Sequence, residues 1–221
     1  MKKAIAVFGA GGLGREVAAM IRQFNINETQ WELLGFFDDG LKKGDSIDGH
    51  KILGGRVEAN AFEKPLSLVL AIADPSIRQD VADYLKNPKL DFPVLRHPWT
   101  DCGDVSNNHL GRGVILSSHV SLTTGINLAE FTIVNLGCTI GHDVTLGAFT
   151  SVMPGCNISG NVRIGPRCVL GTGSKYLPGL SIGGDSIVGA GAVVTKNFPE
   201  RSKLIGVPAK QYLADENKLE G

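Results

Sequence analysis

From residue 110 onward the chain repeats its hydrophobic pattern every six residues. Leu110, Leu116, Leu122, Leu128, Val134, Ile140, Leu146, Val152, Ile158, Ile164, Leu170, Tyr176, Ile182, Val188 and Val194 occupy fifteen successive positions, and fourteen of them are Leu, Ile or Val. A helix repeats its face every 3.6 residues and a flat strand every two, so neither sustains a period of six. A triangular parallel β-coil does. Three six-residue units close one turn, residue i stacks on i+18, and the aliphatic side chain fills the interior. The position two before the aliphatic also points inward, where the corner narrows. It is small at Thr132, Cys138, Thr150, Cys156, Cys168, Ser174, Ser186 and Ala192. Glycine follows the aliphatic at 111, 141, 147, 165, 171, 183 and 189, which predicts tight corners that use its backbone freedom there. The repeat predicts about five coils stacked at roughly the 4.8 Å spacing of neighbouring strands.

The first part of the chain follows another pattern. Ala4 to Phe8 is a short apolar run that predicts a buried strand. The glycine-rich turn Gly9–Gly14 follows, and Arg15 to Ile21 reads as a helix. Leu33 to Phe37 predicts a second strand ending in Asp38-Asp39. Leu68 to Ala73 predicts a third, followed by a helix near 76–87 and a fourth strand near 92–96. The expected division is a Rossmann-like α/β domain over residues 1–97 and the coil with a carboxy-terminal extension over 98–221. A glycine turn at a helix start lets backbone N–H groups approach a phosphate. Acidic residues at the end of the second strand suit a ribose or base. Gly11, Gly12, Gly14, Arg15, Asp38 and Asp39 are therefore candidate nucleotide contacts. So short a domain excludes a two-halved dinucleotide fold. A mononucleotide or nucleotide-sugar fits better, with a ligand-free tight turn as the remaining alternative.

Charge adds little. Lys plus Arg and Asp plus Glu number 22 each, for a formal net charge of zero, which gives no reason to expect a nucleic-acid partner. No apolar run reaches the roughly 18 residues that cross a bilayer, so membrane insertion is not expected. The apolar stretch after Lys2-Lys3 is broken by Gly9–Gly14 and followed by Arg15-Glu16, which argues against a signal peptide and makes the cytoplasm the expected location. Of the four cysteines, Cys138, Cys156 and Cys168 fall on the small inward position and read as core residues. No metal site or disulfide is expected from them or from Cys102.

One histidine stands out. His142 lies two residues past the interior Ile140, at an outward-facing corner, and Asp143 is beside it. His109 and His119 have no neighbouring acid, and His97, in Arg96-His97-Pro98, lies at the domain junction. An imidazole with an adjacent carboxylate is a candidate general base.

These features together extend along the whole chain. They are Gly9–Gly14 with Arg15, Phe36-Phe37-Asp38-Asp39, His97-Pro98, Asn135 with Gly141-His142-Asp143, and the closing Gly206-Val207-Pro208-Ala209-Lys210. With them the chain resembles the hexapeptide-repeat acyltransferases. Within that group it is similar to the bacterial nucleotide-sugar N-acetyltransferases of the bacillosamine type and the related O-acetyltransferases of sialic acid gene clusters. The resemblance implies a left-handed coil, a homotrimer, and acetyl-CoA as cosubstrate in a groove between adjacent coils. It implies that the first domain holds a UDP-4-amino-sugar, and that His142 is the general base with Asp143 and Asn135 in support. Several members carry Glu where this chain has Asp143. The resemblance further places Ser151, Gly160, Thr172 and Ala190 along the acetyl-CoA groove, and Lys196 and Lys210 near its phosphates. O-acetylation of sialic acid or a surface glycan is the alternative reaction. A non-catalytic nucleotide-sugar-binding scaffold is the alternative of another class.

Overall fold

The six-residue period becomes three flat faces. In the computed structural model, which describes residues 2–27 and 31–212, each unit of the coil contributes a two-residue strand whose second residue is the interior aliphatic. Strands pair in parallel eighteen residues apart, as in Leu122 with Ile140, Ile140 with Ile158, and Ile158 with Tyr176. The first face carries strands 115–116, 133–134, 151–152, 169–170 and 187–188; the second carries 121–122, 139–140, 157–158, 175–176 and 193–194; the third carries 109–110, 127–128, 145–146, 163–164 and 181–182. Corner A, at residues 111–113 and their stacked equivalents, leads into the first face. Corner B follows it, and corner C, which includes 141–143, joins the second face to the third. The ladder side chains from Leu116 to Val194 are at most 3 % exposed, and the small inward residues Thr132, Cys138, Thr150, Cys156, Cys168, Ser174, Ser186 and Ala192 are fully buried. Truncating one interior leucine or isoleucine to alanine would cost about 2–5 kcal/mol. Tyr176, the exception in the ladder, satisfies its buried hydroxyl on Ser174 Oγ at 2.9 Å.

The corners are not built as the glycine pattern suggested. Positive φ falls three residues after the aliphatic. There, glycine at 113, 125, 137, 155, 173, 179 and 191 alternates with His119, Phe131, Asp143, Phe149, Asn161, Arg167 and Asp185. The glycines directly after the aliphatic serve another end: a methyl group on Gly111 would fall 2.6 Å from the amide nitrogen of Glu130, and one on Gly141 2.6 Å from that of Gly160. They are small because successive coils touch there.

The first part is a six-stranded sheet with helices. Its elements are β1 (Lys3–Phe8), α1 (Gly12–Asn27), β2 (Trp31–Phe37), β3 (Ser46–Ile47), β4 (His50–Gly54), α2 (Arg56–Asn60), β5 (Leu66–Leu70), α3 (Pro75–Tyr84) and β6 (Leu90–Asp91), with sheet order β3-β4-β2-β1-β5-β6. The apolar runs became the central parallel strands, with Ile5, Val7, Phe36 and Val69 at most 1 % exposed. Asp74 caps α3 by accepting from the amides of Ser76 and Ile77, both at 2.9 Å, with Pro75 as the first helical residue; that geometry suits proline's missing N–H. The hairpin β3–β4 and the short α2 were not predicted, because β3 is two residues long and largely exposed. The strand expected near 92–96 is divided. Residues 90–91 close the first sheet, and β7 (Leu95–Arg96) instead pairs with Ile115–Leu116 of the coil. Pro93, which lacks a ladder donor, lies between them.

This sheet-and-helix part seals the first face of the coil. Ile115 and Ile133 share one buried cluster with Val17, Ile21 and Leu95, while Phe131 and Phe149 share another with Leu68, Leu70 and Val81. Arg78 joins the two halves. It is fully buried, and its guanidinium donates to the carbonyls of Ile72, Phe131 (3.0 Å) and Phe149 (2.5 Å) and to Ser151 Oγ (3.0 Å). Among the described residues no carboxylate is bonded to it, and burial lowers its pKa from the usual guanidinium value to about 9. Its partners are neutral oxygens, and the carbonyls of Ile72, Phe131 and Phe149 would lose this donor if it were removed.

Candidate active site

His142 and Asp143 stand on corner C. Their backbone is fastened to the coils on either side: the Asp143 amide donates to the Thr124 carbonyl at 3.0 Å, and the His142 carbonyl accepts from the Asn161 amide at 2.8 Å. Asp143 takes the left-handed conformation, φ 60°, and this turns its carboxylate toward its neighbour. His142 Nδ1 donates to Asp143 Oδ2 at 2.8 Å. A carboxylate can only accept, so the neutral ring carries its proton on Nδ1 and leaves Nε2 as the unprotonated nitrogen. The two side chains are 57 % and 60 % exposed. A base so oriented and so open can take a proton from an amine or hydroxyl brought to it from outside. Beside it, on the second face, lies a depression of about 190 Å³ lined by Ser121, Thr123, Thr139, Gly141, Asn157 and Ser159, among others. Asn157 donates to Thr139 Oγ1 at 3.0 Å and accepts from Lys175 at 2.9 Å, giving a polar ladder up that face. The hydrophobic pattern offered no sign of this ladder, since its members occupy the outward position.

The other expected residues are dispersed. Asn135 lies on corner B, with Oδ1 accepting from the Leu136 amide at 2.7 Å, and is not joined to His142. Thr172 and Ala190 are exposed and stacked on corner B two and three coils further up. Gly160 lies directly over the His142 ring. Ser151 must be corrected. It is 1 % exposed, bonded to Arg78 and to the Ala73 carbonyl at 2.7 Å, and so belongs to the seal between the two halves, not to an open groove. The resemblance placed it along the groove, and neither the resemblance nor the period reveals which face is covered. Lys196 holds its ammonium over the Phe198 ring, 5.5 Å from the centroid. Lys210 is exposed on the closing hairpin.

The glycine turn belongs to the sheet-and-helix part, which packs on the first face. Gly11 and Gly12 are exposed at the start of α1, and a methyl on either would meet nothing within 4 Å. The space before this helix end is therefore open, and its free amides favour an anion. Gly14 is buried and must be corrected in role: a methyl there would overlap the Gly9 carbonyl, so it lets the helix approach the strand. Asp38 fastens the turn, accepting from the Ala10 amide at 2.8 Å and the Gly40 amide at 2.9 Å. Asp39 is engaged by the Arg56 amide and guanidinium, both at 2.7 Å. Arg15 pairs with Asp48 at 2.7 Å in the open. The contacts of α1 and α3 with the coil fall on the first face and its flanking corners, as in the cavity of about 170 Å³ bounded by Val17, Met20, Gln23, His97, Ser117 and Leu136. His97, bonded to Gln23 there, is lowered in pKa by burial and then by His119.

The three cysteines of the small inward position are shut away from solvent. Cys138, Cys156 and Cys168 are fully buried; burial pushes the Cys168 thiol up to about 11, and hydrogen bonding with Cys156, then burial, raises Cys138. Among the described residues no cluster of three or more His, Cys, Asp or Glu could hold a metal ion, and no helix is long and apolar enough to cross a membrane.

Residues 4–85 match the PglD N-terminal domain family. The GDP-perosamine N-acetyltransferase of Escherichia coli O157:H7 is 28% identical over 137 residues, covering 62% of this chain and 61% of that protein, less than two thirds of its length. The acetyltransferase domain of PglB from Neisseria gonorrhoeae FA1090, in complex with acetyl coenzyme A, superposes with a TM-score of 0.87 at 29% identity, covering 96% of this chain and 100% of that one. PerB from Caulobacter crescentus, in complex with CoA and GDP-perosamine, superposes with a TM-score of 0.85 at 28% identity, covering 95% and 97%.

Proposed function

We propose, from the premise that the chain belongs to the hexapeptide-repeat sugar N-acetyltransferase family, that it transfers an acetyl group from acetyl-CoA to the amine of a nucleotide-linked amino-sugar. The observation that carries this reading is the His142–Asp143 pair, with Nδ1 held at 2.8 Å and Nε2 thereby the unprotonated nitrogen. The acceptor amine attacks the thioester carbonyl and forms the C–N bond. His142 Nε2 takes the proton that the amine must shed, and the C–S bond breaks. The imidazolium then returns that proton to the departing thiolate of CoA. Asp143 fixes the tautomer and stabilises the positive ring. No acyl-enzyme is required, in keeping with cysteines shut inside the coil. The exposed Thr172 and Ala190 on corner B suit the pantetheine arm of CoA, with Lys196 and Lys210 as partners for its phosphates.

The acceptor's nucleotide is assigned to the open glycine turn at Gly11 and Gly12, with Arg15 beside it. In one copy the part that carries this turn packs on the first face, and His142 stands on corner C, which joins the other two faces. An acceptor held at the turn therefore meets the His142 of a neighbouring copy, and a threefold ring of prisms completes three such sites. The sequence resemblance favours a UDP-4-amino-sugar; the relatives named for GDP-perosamine make a GDP-linked sugar the competitor.

The test is CoA release measured across UDP- and GDP-linked 4-amino-sugars and free sialic acid. Release with a nucleotide-linked amino-sugar, and an N-acetylated product, is expected. Release with sialic acid alone would move the reaction to a hydroxyl. No release with any acceptor, together with no acetyl-CoA binding, would favour a non-catalytic scaffold.

A further inference from the structure

The His142–Asp143 pair sits between two positions that have no side chain. Gly160 lies one full coil after His142, and Gly125 one full coil before Asp143. A methyl group on Gly160 would overlap the imidazole: it would come within 2.5 Å of Cε1, 2.8 Å of Cδ2 and closer still to Nε2. The atoms it meets first all belong to the ring. A methyl on Gly125 would lie 2.5 Å from Asp143 Oδ1, the oxygen not used on His142. Gly160 is buried and does not take a left-handed conformation, so its own backbone does not demand glycine. Gly125 does have φ +70°, but the neighbouring corners carry His119, Phe131 and Asn161 in that same conformation. Corner conformation alone therefore does not account for glycine at 125 either.

We infer that Gly160 and Gly125 are positioning residues. Gly160 provides the flat floor on which the His142 ring lies, and Gly125 the recess that admits the Asp143 carboxylate. Together they hold the ring in the plane where Nδ1 meets Oδ2 and Nε2 is left unprotonated. The inference rests on the reading of His142 as base for its kinetic consequence, but not for its geometric content. A side chain at 160 forces the ring to rotate off its floor, and this breaks the 2.8 Å bond that sets the tautomer.

Gly160→Ala is the clean test, since the added carbon meets a movable side chain first. Side-chain ¹⁵N NMR of the intact protein reads the tautomer with no substrate present. In wild type the Nδ1–H form of His142 is expected, and in Gly160→Ala that signal gives way to a mixture of tautomers. An unchanged His142 spectrum in Gly160→Ala would overturn the inference, whatever the enzyme's activity. In the acetyl-transfer assay kcat is expected to fall roughly ten- to hundred-fold, a part of the worth of a positioned base, with both KM values within twofold and the melting temperature unchanged. Added to His142→Ala, the same substitution is expected to cost nothing further. An equal loss in that background would show that Gly160 acts on the coil and not through the ring. If no acceptor is ever turned over, the NMR comparison still decides the inference, so its failure and that of the acetyl-transfer reading remain separate.

Discussion

The first face of the coil and the corner opposite it are built to opposite ends. On the face, Ile115, Ile133 and Ser151 are sealed under the sheet-and-helix part, and Arg78 is driven fully into the junction to bond neutral oxygens on both halves. On the corner, a histidine and an aspartate stand more than half exposed, held by backbone bonds to the adjacent coils and by the absence of side chains at 125 and 160. One region spends its residues on burial, and the other on orientation. Substitutions on the face should therefore act on folding, and substitutions on the corner on turnover.

The largest expected effect is on the corner. His142→Ala should lower kcat by about 10²–10⁴ and leave the melting temperature unchanged, because no interior volume is lost. Acetyl-CoA affinity, measured by calorimetry, should persist. Near-normal turnover would place the base elsewhere. The face should respond in the converse way. Arg78→Ala should reduce unfolding free energy by about 3–5 kcal/mol, the cost of stripping the donor from a buried polar cluster. Chemical denaturation checks this. Enzyme that remains folded should keep its kcat, and a stable variant with lost turnover would break the contrast.

How much of this was legible in the sequence depends on what the period records. Interior positions all face the same surroundings, so Leu122, Ile140 and Ile158 announce the coil unaided. Outward positions face three different surroundings, and the period does not distinguish them; nothing in it could therefore set against the resemblance that Ser151 lies in a seal and not along a groove. Glycine after the aliphatic was visible, but its cause was not, because contact between stacked coils cannot be read from a linear chain. Gly14 likewise answers to a close approach of helix to strand, at the Gly9 carbonyl, that the linear chain does not display. His142 and Asp143 were found by their chemistry and by resemblance. Their seats at Gly160 and Gly125 were present as a spacing of one coil from each, a signal that has meaning only once the stacking register is known. Arg78 gave no signal at all: an arginine on a surface-looking helix becomes a buried cation only after α3 docks.

Two smaller effects sharpen the contrast. Asp143→Asn should lower kcat less than His142→Ala, since the amide weakens the orientation and basicity of the ring but leaves the ring in place. An equal loss would mean that Asp143 does more than orient. On corner A, hydrogen bonds from Arg167, at 2.6 and 2.7 Å, hold the Asp185 carboxyl below the usual carboxylate range. Its stabilisation is then fully present above the ordinary carboxylate pKa and fades as pH falls through the lowered value. A pair this exposed to solvent is worth only about 0.2–1 kcal/mol. Asp185→Asn should lose that amount at neutral pH and nothing in strong acid, as read from unfolding curves at both.

The central claim is that the glycine turn of one copy serves the histidine of another. Co-expressing a Gly12→Val chain with a His142→Ala chain tests it most directly, at an acceptor concentration where each variant alone is silent. Random assembly of threefold rings leaves about one interface in four with an intact turn facing an intact histidine. The co-expressed protein should therefore recover roughly a quarter of wild-type activity. If turn and histidine instead worked within one copy, no mixed ring would contain a complete site, and the mixture would stay as silent as its parents.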